Sequence, residues 1–383
     1  MRGDIRMEHY ITTINIHEVR HLSNISILLN PNQRQHLLIT GKNGSGKTSL
    51  LQAIQKSLAD FDRTIPDSFK DRNIYSKQDK LDIIFNDTNK LNIQYQSGDF
   101  IVAAFPADRH LQIIRSQGVE DIRLDEFYEI DSTPGKLLHK YMVHLKTQQA
   151  YAKNEEDFLI ANKIQKWFER FESALRVLLD DSSVILEYSY REYDFKIIED
   201  GREPCSLDEL SDGYSAALHI VSDLILRMDK NWLLKGELSQ YDIEGIVLID
   251  ELETHLHIEL QKKILPFLTN FFPKIQFIIT THSPYILNSI PNAKAYDLEK
   301  HVELENLTAY SSDILAEGYF DTDEYSDELR KKVDRYVYLL QKDSPSKEER
   351  AERALLRIEL KEINHGLFQE IQERFEEIEK TRL

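Results

Sequence analysis

Gly41-Lys42-Asn43-Gly44-Ser45-Gly46-Lys47-Thr48 fits the eight-position pattern G-x-x-x-x-G-K-[ST], and its flanks give that pattern physical meaning. Upstream, His36-Leu37-Leu38-Ile39-Thr40 is an apolar run of strand length. Downstream, Ser49–Ala59 carries Leu50, Leu51, Ile54 and Leu58 at helical spacing with no breaker. A strand, a glycine loop and a helix in that order form an anion cradle, because loop N–H groups and the positive end of the helix point at the same place. The glycines let those N–H groups converge on phosphate oxygens, Lys47 reaches the terminal phosphates, and the Thr48 hydroxyl is available to Mg²⁺. Gly41 through Thr48, with Ser49, are therefore the candidate nucleotide-binding residues. A glycine turn with an incidental lysine is the competing reading, and it leaves the flanking strand and helix unexplained.

Working outward, Ile11, Ile14 and Ile16, then Ile25, Ile27 and Leu29, alternate as strands do. Further alternation at Leu81–Phe85, Leu91–Tyr95 and Phe100–Ala104 predicts a mostly β sub-sheet beside the phosphate loop. From Pro134 to Asp180 the pattern is helical, and Lys163–Leu179 places Ile164, Trp167, Phe168, Phe171, Leu175 and Leu178 three and four residues apart, as an inserted helical lobe would. Strands are expected again at Ser183–Tyr190 and Asp194–Ile198, and a helix at Ser215–Met228. Residues 245–249 and 275–280 are continuous apolar runs, which belong to parallel strands buried on both faces. Beyond Pro291 a mixed segment leads to a charged helical tail, Lys347–Arg382, with Leu356, Leu360, Ile363, Leu367, Ile371, Phe375 and Ile378 on one stripe. The expected segments are 1–133 and 183–300 for the two parts of one head, 134–182 for the lobe and 301–383 for the charged tail.

The 383 residues include 66 Asp plus Glu against 48 Lys plus Arg, a net charge of −18. That field repels phosphate on average, so coating of nucleic acid is disfavoured and any such contact needs a local basic patch or a partner. The single cysteine, Cys205, excludes an internal disulfide and a multi-cysteine zinc site, which fits a reducing compartment. No stretch has the apolar length of a membrane span, and Met1-Arg2-Gly3-Asp4 leads into a strand pattern instead of a signal core, so a cytoplasmic protein without a membrane partner is expected.

Ile246-Val247-Leu248-Ile249-Asp250-Glu251 supplies the acidic half of the site. A carboxylate at the end of a buried strand reaches a Mg²⁺ shell, and a second beside it polarises water. Asp250 is the metal-side carboxylate and Glu251 the general base. His255 and His257, two positions apart, lack the i, i+3 or i, i+4 spacing of helical metal ligands and read as loop residues. Leu210-Ser211-Asp212-Gly213 opens a predicted helix; taken by itself it reads as a capped turn before it reads as a second anion site. Thr280-Thr281-His282-Ser283-Pro284 ends the other buried strand, where His282 can meet a γ-phosphate or the attacking water, or be structural.

In order and spacing, this set resembles the ABC-type ATPases of the SMC and RecF class: phosphate loop, signature Leu210-Ser211-Asp212-Gly213, acidic strand Leu248–Glu251 and switch histidine His282. The stretch Asp250–His257 through Ile278–Pro284 is especially similar to the heads of bacterial defence ATPases. The resemblance covers about residues 8–300 and implies an α/β fold: a P-loop NTPase head with a mostly parallel core sheet, an antiparallel β sub-sheet and an inserted helical lobe. It implies ATP and Mg²⁺ as cofactors, Lys47 and Thr48 on phosphate and metal, and Ser211, Asp212 and Gly213 acting in trans in a head-to-tail dimer. Arg20 resembles a basic position that contacts nucleotide in related heads, and also reads as a surface arginine. Leu252 stands where such heads usually carry proline. Gln94, Gln96 and the loop Phe105-Pro106-Ala107-Asp108-Arg109 compete for the role of glutamine loop.

A helix over Pro134–Asp180 would reach about 70 Å and a hairpin half that, too short for a chromosome-clamping arm. Related enzymes append a Toprim nuclease after the switch histidine; here Asp321-Thr322-Asp323-Glu324 has no buried strand before it and reads as a solvated loop. Ser311-Ser312-Asp313-Ile314-Leu315 and the charged tail resemble the ends of Septu-type antiphage ATPases, which implies a separate HNH nuclease partner. PARIS-type ATPases, with a Toprim-like partner, are next. A RecF-like DNA-repair ATPase is the alternative, and a transporter ATPase is disfavoured.

Overall fold

A computed structural model of the chain describes residues 8–59, 73–76, 80–229, 241–304, 307–309, 312, 315, 327–342 and 346–361. The chain forms two compact units, Met1–Ser312 and Asp313–Leu383. The first begins with β1 (Ile11–Val19), β2 (Leu22–Leu28) and β3 (His36–Thr40), followed by α1 (Lys47–Ala59), β4 (Asn73–Ser76) and β5 (Leu81–Phe85). Next come α2 (Leu91–Gln96), β6 (Phe100–Phe105), α3 (Leu138–Asn154), α4 (Phe158–Leu179), β7 (Ile185–Ser189), β8 (Asp194–Ile198) and β9 (Cys205–Ser206). It is completed by α5 (Asp212–Met228), β10 (Glu244–Ile249), α6 (Ile258–Phe271), β11 (Ile275–Thr280), α7 (Pro284–Leu287), β12 (Ala293–Asp297) and β13 (Val302–Leu304).

The main sheet runs β13-β12-β3-β11-β10-β6, and every neighbouring pair from β12 to β6 is parallel. Strands β3, β10 and β11 are buried at every residue, as continuous apolar runs under two covered faces must be. A second, antiparallel sheet runs β2-β1-β5-β4, with Ile14 opposite Ile27 and Ile16 opposite Ile25. Leu50, Leu51, Ile54 and Leu58 of α1 share one apolar cluster with Ile14 and Ile16 of this sheet and with Ile246, Leu248 and Ile278 of the main one. Burial on both sides therefore fixes α1, and with it the glycine loop that precedes it. β7-β8-β9 form a third sheet. The chain is thus an α/β protein with a mostly parallel core sheet, an antiparallel β sub-sheet and a helical pair, α3 and α4, between β6 and β7. Trp167 of α4 stacks on Phe171 and donates its indole N–H to Asp229, whose carboxyl is pushed up to about 7 by burial.

Two expectations are corrected. Leu91–Tyr95 is helical: Leu91 and Tyr95, one turn apart, are buried, while Ile93 between them is 63% exposed. Alternation in letters had matched a strand, but the burial follows period 3.6. β6 belongs to the parallel main sheet beside β10, with Phe105 opposite Ile249, and not to the antiparallel sub-sheet. Its nearly continuous burial is the signature of that position.

In the second unit α8 (Asp327–Gln341) and α9 (Lys347–Lys361) are joined by a forked Arg335–Glu352 pair at 2.9 and 2.8 Å and by the Lys332–Glu359 pair at 3.1 Å. The expected tail helix is seen as far as Lys361. The stripe from Ile363 to Ile378, the Asp321–Glu324 loop and most of Ser311–Leu315 lie outside the described residues. Among the described residues no helix is long and apolar enough to cross a membrane.

Candidate functional site

Because β12, β3, β11, β10 and β6 are parallel, their carboxyl ends share one edge of the sheet, and the loaded loops leave from that edge. The glycine loop follows β3, Asp250 and Glu251 follow β10, Thr281 and His282 follow β11, and Pro106–His110 follow β6.

In the glycine loop Gly41, Gly44 and Gly46 take φ of +135°, +85° and +99°, where a side chain would be strained. Lys47, buried at the start of α1, folds over its own loop and donates to the Gly41 carbonyl at 2.7 Å and the Lys42 carbonyl at 3.1 Å. Burial pulls its pKa down, while Glu251, Glu253, Asp250 and Asp297 pull the other way. Four carboxylates around one ammonium leave a surplus of negative charge that a cation offsets. Lys42 pairs with Glu299 at 3.3 Å; Asn43 and Gly44 are exposed at the tip, Ser49 is half-buried, and the Ser45 hydroxyl is buried without a hydrogen-bond partner among the described residues.

The acidic pair is held by its neighbours. Thr280 Oγ donates to Asp250 Oδ1 at 2.5 Å and accepts the Glu251 N–H at 2.7 Å. Glu251 sits at φ +45°, a strained region for a non-glycine residue, and accepts from Thr254 Oγ at 3.3 Å. Leu252 N–H donates to the Thr280 carbonyl at 3.2 Å, a bond that proline at this position lacks. Glu253, unassigned from sequence, accepts from Thr281 Oγ at 2.7 Å and from the His282 N–H at 2.5 Å, so the two strand tips are stitched together. His282 Nε2 is buried and unpartnered among the described residues. Burial and Lys47 lower the His282 pKa, which keeps the ring neutral, while Glu253 and Glu251 act in the opposite direction. The structure thus gathers Lys47, Asp250, Glu251 and His282 at one place.

A cleft of about 390 Å³ opens on this edge, lined by Thr48, Gln52, Asp108, Arg109, Gln112 and Asp250 among others. A hydroxyl and a carboxylate facing one space are oxygen donors of the kind Mg²⁺ prefers, so Thr48 and Asp250 fit that ion. Gln94 and Gln96, in α2, do not line the cleft; Gln112, which sequence reading passed over, does, together with the loop after β6. Arg109 was also not assigned a role. Buried to 3% exposure, it donates to the carbonyls of Asp250 and Leu252 at 2.8 Å each and of Glu251 at 3.2 Å. Burial draws its pKa down to about 10, so it remains a cation. Only its position after a loaded strand end hinted at this.

Arg20 is exposed at the β1–β2 turn with φ +52°. That turn meets the glycine loop through its neighbours: His21 Nε2 donates to the Ser45 carbonyl at 3.1 Å, and a Cβ on Gly46 would lie 3.1 Å from both His21 and Leu22. Ser211 and Asp212 are exposed at the start of α5, and the Ser211 side chain makes no capping bond to its own helix. Gly213 is buried, and a Cβ there would lie 2.6 Å from the His255 carbonyl. Ser215 Oγ accepts the Leu111 N–H at 3.1 Å, so the loop after β6 touches both the acidic turn and α5.

Residues 37–288 match the family described as AAA domain, putative AbiEii toxin, Type IV TA system. The chain belongs to that family. Among curated proteins it is 25% identical over 378 residues to Septu protein PtuA of Bacillus mycoides (strain KBAB4), covering 90% of this chain and 49% of the relative. It is 30% identical over 221 residues to the Retron Vc95 probable ATPase of Vibrio cholerae serotype O1 biovar El Tor, covering 56% of this chain and 39% of the relative. The chain spans about half the length, or less, of these relatives. Among solved structures, an Smc head bound to the C-winged helix domain of ScpA aligns with a TM-score of 0.41 at 12% identity, over 78% of this chain and 99% of that one. The SMC head domain from Thermotoga maritima aligns with a TM-score of 0.38 at 12% identity, over 74% and 94%. The resemblance read from the motif order to Septu-type ATPases is borne out by the Septu relative and by the family.

Proposed function

We propose that this chain binds and hydrolyses ATP, closes head to tail on a second copy around two nucleotides, and thereby regulates a separate nuclease in antiphage defence. The observation that carries the reading is the gathering of Lys47, Asp250, Glu251 and His282 at the carboxyl edge of one parallel sheet, behind a glycine loop. The relatives named as Septu and retron proteins support the defence setting.

In this reading the loop N–H groups from Gly41 to Thr48 and Ser49 hold the phosphates, and Lys47 Nζ moves from the Gly41 and Lys42 carbonyls to phosphate oxygens. Thr48 and Asp250 would hold Mg²⁺, which would supply charge neutralisation for the triphosphate. Glu251 takes the proton of the attacking water, and neutral His282 turns its unpartnered Nε2 to the γ-phosphate or that water. Arg20 closes over the nucleotide from the β1–β2 turn. Ser211, exposed and uncommitted to capping, reaches with Asp212 and the Gly213 backbone into the partner's nucleotide site. The effector is a nuclease of HNH type, with a Toprim-like protein next, and nucleic acid is met through that complex because the chain carries −18. The segments 1–133, 134–182, 183–300 and 301–383 divide the work into head, lobe, head and charged tail, in a cytoplasmic protein.

Glu251→Gln tests this. With Mg²⁺ and ATP it should retain nucleotide and shift to an even assembly of higher mass in light scattering, with ADP release down about 100-fold or more. Full turnover in that variant removes the base assignment, and ATP binding without any change of mass removes the dimer. Lys47→Ala should weaken ATP binding itself.

A further inference from the structure

Three side chains converge where two loops meet: Asp108 and His110, which line the same cleft as Thr48 and Asp250, and His255, which does not. Asp108 and His110 lie in the loop after β6, and His255 in the turn after Glu251. One carboxylate oxygen and two ring nitrogens, one from each residue, lie within 4.8 Å of one another. His110 Nε2 is 3.3 Å from Asp108 Oδ1, and the His110 and His255 ring centroids are 5.2 Å apart at a tilt of 40°. All three residues are exposed, so an ion reaches them directly from solvent.

We propose that Asp108, His110 and His255 form a binding site for a transition-metal dication of the zinc class. Two imidazole nitrogens and one carboxylate oxygen are a borderline donor set, which suits Zn²⁺, Co²⁺ or Ni²⁺ and not the all-oxygen preference of Mg²⁺ or Ca²⁺. Ligands about 2.0–2.2 Å from zinc stand roughly 3.3–3.6 Å apart in a tetrahedron, so exposed side chains close the present spacing by rotation alone. Three protein ligands leave a fourth position for water. The sequence separation of His110 from His255 hides the pair, and the spacing of His255 and His257 pointed away from it.

The site sits at a junction. Arg109, between two of the ligands, holds the carbonyls of Asp250, Glu251 and Leu252, and the His255 carbonyl packs on Gly213 at the start of α5. A bound dication cross-links the loop after β6 to the turn after the acidic pair. The site stands whether or not the chain hydrolyses ATP.

The test uses untagged full-length chain, stripped with chelator and titrated with Co²⁺ without nucleotide. One Co²⁺ per chain with d–d absorption is expected, and a higher unfolding temperature in its presence. His110→Cys and His255→Cys should each add a thiolate-to-cobalt charge-transfer band that the wild type lacks. Asp108→Asn should weaken binding at least about tenfold, and His257→Ala should bind as wild type. Co²⁺ bound without the new band in either cysteine variant overturns the proposal. Loss of the signal in Asp250→Asn, which would put the ion in the phosphate site, overturns it equally, as does no stoichiometric binding at all.

Discussion

The Arg109 guanidinium donates to the Asp250 carbonyl oxygen at 2.8 Å, which ties a buried cation to the backbone of the residue expected to face Mg²⁺. The same group reaches the Leu252 carbonyl at 2.8 Å and the Glu251 carbonyl at 3.2 Å, so one planar fork holds three consecutive carbonyls of a single turn. Arg109→Ala strands these carbonyls and should lower stability by about 3 kcal/mol in urea unfolding, with a loss of ATP turnover larger than the loss of ATP binding. Arg109→Lys should recover only part of both, since an ammonium lacks the fork. An unaltered unfolding midpoint in Arg109→Ala would show that other donors satisfy the turn.

His282 should titrate below the usual imidazole range, because burial and Lys47 oppose its charge. Its ring signals in NMR are expected to stay those of the neutral form as pH falls through about 6.5. His282→Ala should cut ATP turnover at least about tenfold while ATP affinity changes little. Equal losses in binding and turnover would assign His282 to ground-state contacts only.

Gly213 and Ser211, two positions apart, should respond differently. Gly213→Ala places a Cβ 2.6 Å from the His255 carbonyl, a backbone atom, and should cost about 1–3 kcal/mol of stability in the isolated chain. Ser211 is exposed, so Ser211→Arg should leave Tm and monomer ATP binding unchanged and abolish turnover. Normal hydrolysis in Ser211→Arg would reject completion of the site in trans.

His36 provides a pH signature unrelated to nucleotide. Its ring is buried in β3, its Nδ1 accepts the Phe277 N–H at 3.1 Å, and burial, aided by Arg34, lowers its pKa to about 4. The unfolded chain takes up this proton first, near pH 6.5, so the stabilisation is complete above that value and is lost as pH falls through about 4. The loss amounts to roughly 3 kcal/mol. Urea unfolding at pH 7 and pH 4.5 should show a steeper decline for wild type than for His36→Gln, and parallel declines would contradict the assignment.

The glycine loop, β3, β10, β11 and the acidic tip are legible in the sequence, because each is a contiguous run whose letters carry both the burial pattern and the reactive groups. Leu91–Tyr95 misled for the opposite reason. In five residues an alternating pattern and a one-turn pattern overlap, and packing of Leu91 and Tyr95 chose between them. Leu252 departs from the proline that the resemblance leads one to expect, but its bond to the Thr280 carbonyl depends on β11 lying beside β10.

Residue order alone settled that a phosphate-type loop sits between a buried strand and a helix, and that two further buried strands end in Asp250-Glu251 and Thr281-His282. Such features are contiguous, and a chain's near neighbours constrain one another whatever the rest of the fold does. Folding supplied the long-range partners: Arg109 on the acidic turn, Glu253 on His282, His255 against both Gly213 and His110. Those meetings follow from parallel strands that deliver distant loops to one edge, and hydrogen bonds and close packing act over a few ångströms of space regardless of separation along the chain.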